Sequence, residues 1–87
     1  PKDGVYVKAL RAMGLNALAQ AQPAQALVHL EKAASFAPKW ADLYLDIARA
    51  YRLEGDKQRA RNAYQQVIEL APSTDMADVA AKEAAAL

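Results

Sequence analysis

His29 is the only histidine in the 87 residues, and its setting decides what it can do. It shares a helix-spaced segment with Ala26, Leu30 and Ala33, which turn inward and leave His29 at the surface. No Ser–His–Asp set or paired metal-ligand spacing accompanies it, so its surroundings point away from catalysis. The absence of cysteine excludes disulfides, thiolate zinc sites and Cys nucleophiles. Asp42 and Asp46 lie four residues apart on one helix face, the spacing of a carboxylate pair. At the start of a helix both favour the positive end of the dipole, and Asp46 is placed to pair with Arg49. A solvated, dipole-matched face is the better reading of this pair. Gly4, Gly14 and Gly55 are isolated, so no glycine-rich loop cradles a phosphate. Lys57, Arg59 and Arg61 crowd one segment near Arg49 and Arg52. Residues two apart splay around a helix, however, and residues 41–74 hold five acids against five bases. The whole chain carries eleven Lys and Arg against ten Asp and Glu, a net charge of +1. Nucleic-acid binding is not expected of that balance.

These residues are positioned by helices. The chain holds 22 Ala against five Val, two Ile and one Thr. Ala is the best helix former because ordering it costs no side-chain entropy. Pro23, Pro38, Pro72 and the pair Gly55-Asp56 break the chain into segments with apolar spacings of three and four. Val7, Leu10, Met13, Gly14 and Ala17 form the first stripe. Ala26, Leu30, Ala33 and Ala34 form the second, and Tyr44, Ile47, Ala48 and Tyr51 the third. Ala60, Tyr64, Val67 and Ile68 make the fourth. A small face of Ala77, Ala80, Ala81, Ala84 and Ala85 makes the fifth. Pro23 suits a first helical position, Gly55 a left-handed C-terminal cap, and Asp56 an N-cap. Ser73 or Thr74 can cap the last helix. The expectation is one all-α domain over residues 1–87, built from five helices. No apolar run approaches the roughly 18 to 20 residues needed to span a bilayer, and no signal peptide is expected. The opening Pro1 points to a processed product or a piece of a longer chain.

The chain repeats itself every 34 residues. Pro38 falls on Pro72, Ala26 on Ala60 and Ala37 on Ala71. Elsewhere large residues meet large and small meet small, as with Leu10 on Tyr44, Met13 on Ile47, Gly14 on Ala48 and Leu30 on Tyr64. The second unit reads Tyr44-x2-Ile47-Ala48-x2-Tyr51, then Ala60-x3-Tyr64, then Pro72. This resembles the tetratricopeptide-repeat family, whose pattern is W-x2-L-G-x2-Y, A-x3-F, P over about 34 residues. The first unit departs from the pattern with Leu10 in place of Trp and Ala17 in place of Tyr. The resemblance implies helix-turn-helix repeats at 7–40 and 41–74, stacked as a short right-handed α-solenoid, with a capping helix at 75–87. Asp75, Asp78, Lys82 and Glu83 would give that cap its polar outer face. Gly14 and Ala48 would be small where the two helices of a repeat cross, with Ala26 and Ala60 facing them.

The resemblance also implies a function. In this family the first helix of each repeat lines a concave surface that holds partner segments. Setting aside core positions leaves Lys8, Arg11, Leu15 and Leu18 on the first such helix. Asp42, Leu45, Arg49 and Arg52 remain on the second. Three leucines on that face suggest apolar anchors, and the forked arginine heads suit carboxylates. A non-catalytic module that binds a protein or peptide with apolar and acidic character is the reading, with no cofactor. Leu15 stands where the family's C-terminal-carboxylate clamp needs Asn, which argues against that clamp. The competing expectation is self-association, a homodimer or a stack with further repeats, through Val5, Tyr6 and Val7 at the N-terminal edge.

Overall fold

The computed structural model describes residues 2–87, with side chains from Gly4 onward, so Pro1 lies outside it. Five helices follow one another: α1 (Lys2–Ala19), α2 (Pro23–Phe36), α3 (Ala41–Glu54), α4 (Lys57–Leu70) and α5 (Asp75–Ala85). Each packs on the next, and α1 also touches α3. Among the described residues there is no strand.

The 34-residue period governs the turns as well as the helices. At the end of α3, Gly55 takes φ 83° and the Asp56 amide donates to the Tyr51 carbonyl at 3.0 Å. At the end of α1, Ala21 takes the same left-handed region at φ 56°, and the Gln22 amide donates to the Ala17 carbonyl at 2.9 Å. Each atom pair is offset from its counterpart by one period. Only Gly adopts this conformation without a steric penalty, so the first turn is built with more strain than the second. The second helices end alike, the amides of Ala37 and Ala71 each donating to the carbonyl four residues back at 2.9 Å. Asp56 accepts from the Arg59 amide and caps α4, whereas Gln22 makes no side-chain cap for α2. Thr74 accepts from the Ala77 amide and caps α5. The corresponding residue before α3 is Trp40, whose side chain caps nothing.

Leu30, Leu43, Tyr64 and Val67 are the largest fully buried side chains. A Cβ at Gly14 would lie 2.6 Å from both Cγ and Cδ2 of Leu30, so α1 and α2 touch where a side chain is missing. Ala26, Ala48 and Ala60 are fully buried. Several expected positions turn out otherwise. Met13 is 44% exposed although its counterpart Ile47 is buried. The reason is that α3 is packed between α2 and α4, whereas α1 packs on α2 and has only a slighter contact with α3. Ala9, Ala12 and Asn16 are exposed for the same reason, while Leu43, Asp46 and Ala50 are buried. Val7 belongs to the core rather than to an open edge, although Val5 and Tyr6 are exposed. Ala81 and Ala85 face solvent, which narrows the packed alanines of α5 to Ala77, Ala80 and Ala84, with Met76 packed beside them.

Candidate functional site

Ion pairs reach from α1 to α3 and from α3 to α5. Arg49 on α3 meets Glu83 on α5, 34 residues later, through two parallel bonds: Nε donates to Oε1 at 3.0 Å and Nη2 to Oε2 at 2.7 Å. Arg52 Nη1 adds a third at 3.2 Å, and the Tyr64 hydroxyl donates a fourth at 2.9 Å. Two cations and a phenol thus converge on one half-buried carboxylate. Glu83 therefore points inward, contrary to its expected place on the polar outer face of α5. The Arg49 hydrogen bonds hold the Glu83 acid below its ordinary range, outweighing the opposing effect of burial. Glu83 in turn raises Arg49 through those same bonds. Burial first, and then donation to Glu83, push the Tyr64 phenol up to about 12. The fork-on-carboxylate geometry is strong because both partners are charged and planar.

A second ion pair ties α1 to α3. Arg11 Nε donates to Asp46 Oδ2 at 2.7 Å, and Arg11 Nη1 stands 3.9 Å from Asp42. Asp46 is only 3% exposed, so it is neither solvated nor paired with Arg49 as its sequence position suggested. Burial raises its acid above the ordinary range, and the Arg11 hydrogen bond only partly offsets this. Arg11 also lies over Trp40, its guanidinium carbon 5.2 Å from the ring centroid.

The eight residues expected on the concave face are thus brought onto adjacent helices in unequal states. Lys8 and Leu15 are exposed, Leu15 by 39%, whereas Leu18 and Leu45 are half-buried against the core. Asp42 is half-buried beside Arg11. Arg11, Arg49 and Arg52 are already engaged by carboxylates of the same chain. Glu83 and Trp40 went unrecognised on the sequence. The period alone places Glu83 next to Arg49, and the aromatic at an N-cap position marks Trp40. Arg59 is held locally, pairing with Asp56 at 3.1 Å in its own first turn. His29 is half-buried rather than fully on the surface. Among the described residues no helix is long and apolar enough to cross a membrane.

A model of the tetratricopeptide repeat matches residues 41–74, the span of α3, α4 and their turns. No curated protein and no solved structure compared with the chain gave a match. With the helix-turn-helix packing and the 34-residue register behind it, that match identifies the chain as carrying a repeat of the tetratricopeptide family.

Proposed function

We propose that this chain is a non-catalytic binding module, and that a segment of another protein lies along α1, α3 and the exposed side of α5. Tetratricopeptide repeats generally mediate protein–protein interaction. In this reading residues 7–40 are a divergent copy of the repeat at 41–74, and 75–87 a capping helix. The observation that supports it is the pair of bridges between successive first helices, Arg11 to Asp46 and Arg49 to Glu83. They hold three helices side by side, so that Lys8, Leu15, Leu45 and Arg52 belong to one continuous surface. The offset of 34 residues between Arg49 and Glu83 equals the repeat period, which also favours α5 as the next helix in the series. Lys82, however, falls where Gly14 and Ala48 stand, and it is exposed. A lysine suits a helix that ends a stack, because a second helix would need a small residue there.

Leu15 is the substitution of choice because it is exposed, whereas polar changes at Leu18 or Leu45 would disturb the core. Peptides selected on the immobilised domain should lose binding to Leu15→Ser, with the thermal midpoint and the mass by light scattering unchanged. Retained binding would overturn the groove.

A second reading has its own support in the exposed row Ala9, Ala12, Met13 and Asn16. The same positions on α3 are covered by its neighbours, so the open side of α1 has the shape of a stacking edge. Under that reading Met13→Glu lowers a concentration-dependent mass, and Leu15→Ser does not.

A further inference from the structure

We infer that the α1 end of the groove, around Trp40 and Lys8, is an anchor site for a partner segment bearing a side-chain carboxylate flanked by apolar side chains. This rests on the groove reading and narrows it. Two surface notches meet there. One of about 250 Å³ is lined by Gly4, Val7, Lys8, Phe36, Ala37 and Trp40. The other, of about 290 Å³, is lined by Lys8, Arg11, Ala12, Leu15 and Trp40. Lys8 and Trp40 line both, so a cation and an aromatic ring stand between two mostly apolar hollows.

Charge decides what fits. Lys8 is exposed and makes no ion pair among the described residues, whereas Arg11, Arg49 and Arg52 are each held by an internal carboxylate. Of the four cations on the α1 and α3 face, the one free to meet a ligand acid is therefore at the Trp40 end rather than near Arg49. The surrounding chain is biased the same way. Residues 1–40 carry five Lys and Arg against two Asp and Glu, while residues 41–87 carry six against eight. Complementarity thus selects an acidic segment for this end, and the hollows select apolar neighbours for its acid.

The local sequence supports a binding role for Trp40. One period later Thr74 accepts a hydrogen bond at the N-cap of α5, as that position ordinarily requires. Trp40 forgoes this at the N-cap of α3, and its half-buried ring instead lies beneath Arg11 and forms a wall of both notches. A side chain that breaks a local rule is expected where another requirement outweighs it. Trp40 is also the only tryptophan, so its emission reports on this site alone.

The test uses the whole chain and two acetylated, amidated peptides, Gly-Leu-Glu-Phe-Gly and its Gln counterpart. The Glu peptide should shift Trp40 emission saturably and bind about threefold to fivefold tighter than the Gln peptide, as an exposed ion pair allows. That preference should vanish with added salt and in Lys8→Gln. Amide shifts should cluster at Gly4, Val7, Lys8 and Trp40. Equal binding of the two peptides, or no saturable change up to millimolar peptide, overturns the anchor. Shifts confined to Leu45, Arg49 and Arg52 also overturn it while leaving the wider groove standing. Should Trp40 emission change with protein concentration alone, as mass rises, the occupant is a second copy and the peptide proposal fails.

Discussion

Glu83 and Asp46 are both half-buried or buried carboxylates next to arginine, yet they respond to pH in opposite senses. Glu83 accepts four hydrogen bonds, and its acid is held below its ordinary value of 4.5. Its contribution to stability is therefore present above that pH and is lost as pH falls through the lowered folded value. Glu83→Gln should cost about 1 to 2 kcal/mol at pH 7, a range discounted for the solvent contact of Arg49 and Arg52. In urea titrations the gap from wild type should narrow as pH falls below 4.5 and close only below the lowered folded value, where the native carboxylate is protonated as well. Asp46 binds its proton more tightly in the folded state than its ordinary value of 3.8 implies. Its charged form is thus a burden that grows as pH rises through the raised value. Removing the compensating cation with Arg11→Ala should cost about 3 kcal/mol at pH 7, because it strands a buried charge. That deficit should shrink as pH is lowered through the raised folded value, where Asp46 takes up a proton. A deficit constant across that range would mean that Arg11 acts by packing on Trp40 rather than by charge.

Among the elements, the two turns that close α1 and α3 form an internal comparison. Ala21 and Gly55 occupy one position of the period, at φ 56° and 83° respectively. Ala21→Gly should raise stability by about 0.5 kcal/mol, the relief of left-handed strain exceeding the added freedom of the unfolded chain. Gly55→Ala should lower it by about 1 kcal/mol. Chemical denaturation of the two variants together tests the equivalence of the turns, which equal responses of the same sign would refute. Gln22 is the other weak point of the first unit. Gln22→Asp should supply the missing cap to α2 and add about 1 kcal/mol, as Asp56 does for α4. The helices themselves were legible from Ala content, the breakers and the period, and all five lie where the punctuation placed them. The uncertain positions were those at the edge of a helix face. Met13, Ala81 and Ala85 have the right spacing for burial, but spacing does not tell which sides of a helix have neighbours.

The whole molecule measures about 36 × 28 × 17 Å, and its helices pack in chain order, so each depends mainly on the ones beside it. Deleting 75–87 removes the acceptor of Arg49, Arg52 and Tyr64 and uncovers α4 at once. It should lower the thermal midpoint by more than Glu83→Gln does, as circular dichroism would show; an equal loss would mean that α5 contributes nothing beyond one carboxylate. The sequence by itself determined the helical class, the 34-residue register, the small residues at the helix crossings and the resemblance to a repeat family. Those follow from local conformational preference and periodicity, which are properties of the chain. The tertiary structure decided which charges are spent internally. Arg49 and Arg52 read as available cations until α5 brings Glu83 between them, and Asp46 reads as solvated until α1 lays Arg11 on it. Trp40 gains its setting only when the turn before α3 folds against Lys8 and Arg11. Charge pairing across helices depends on which faces meet, and a linear pattern does not specify that.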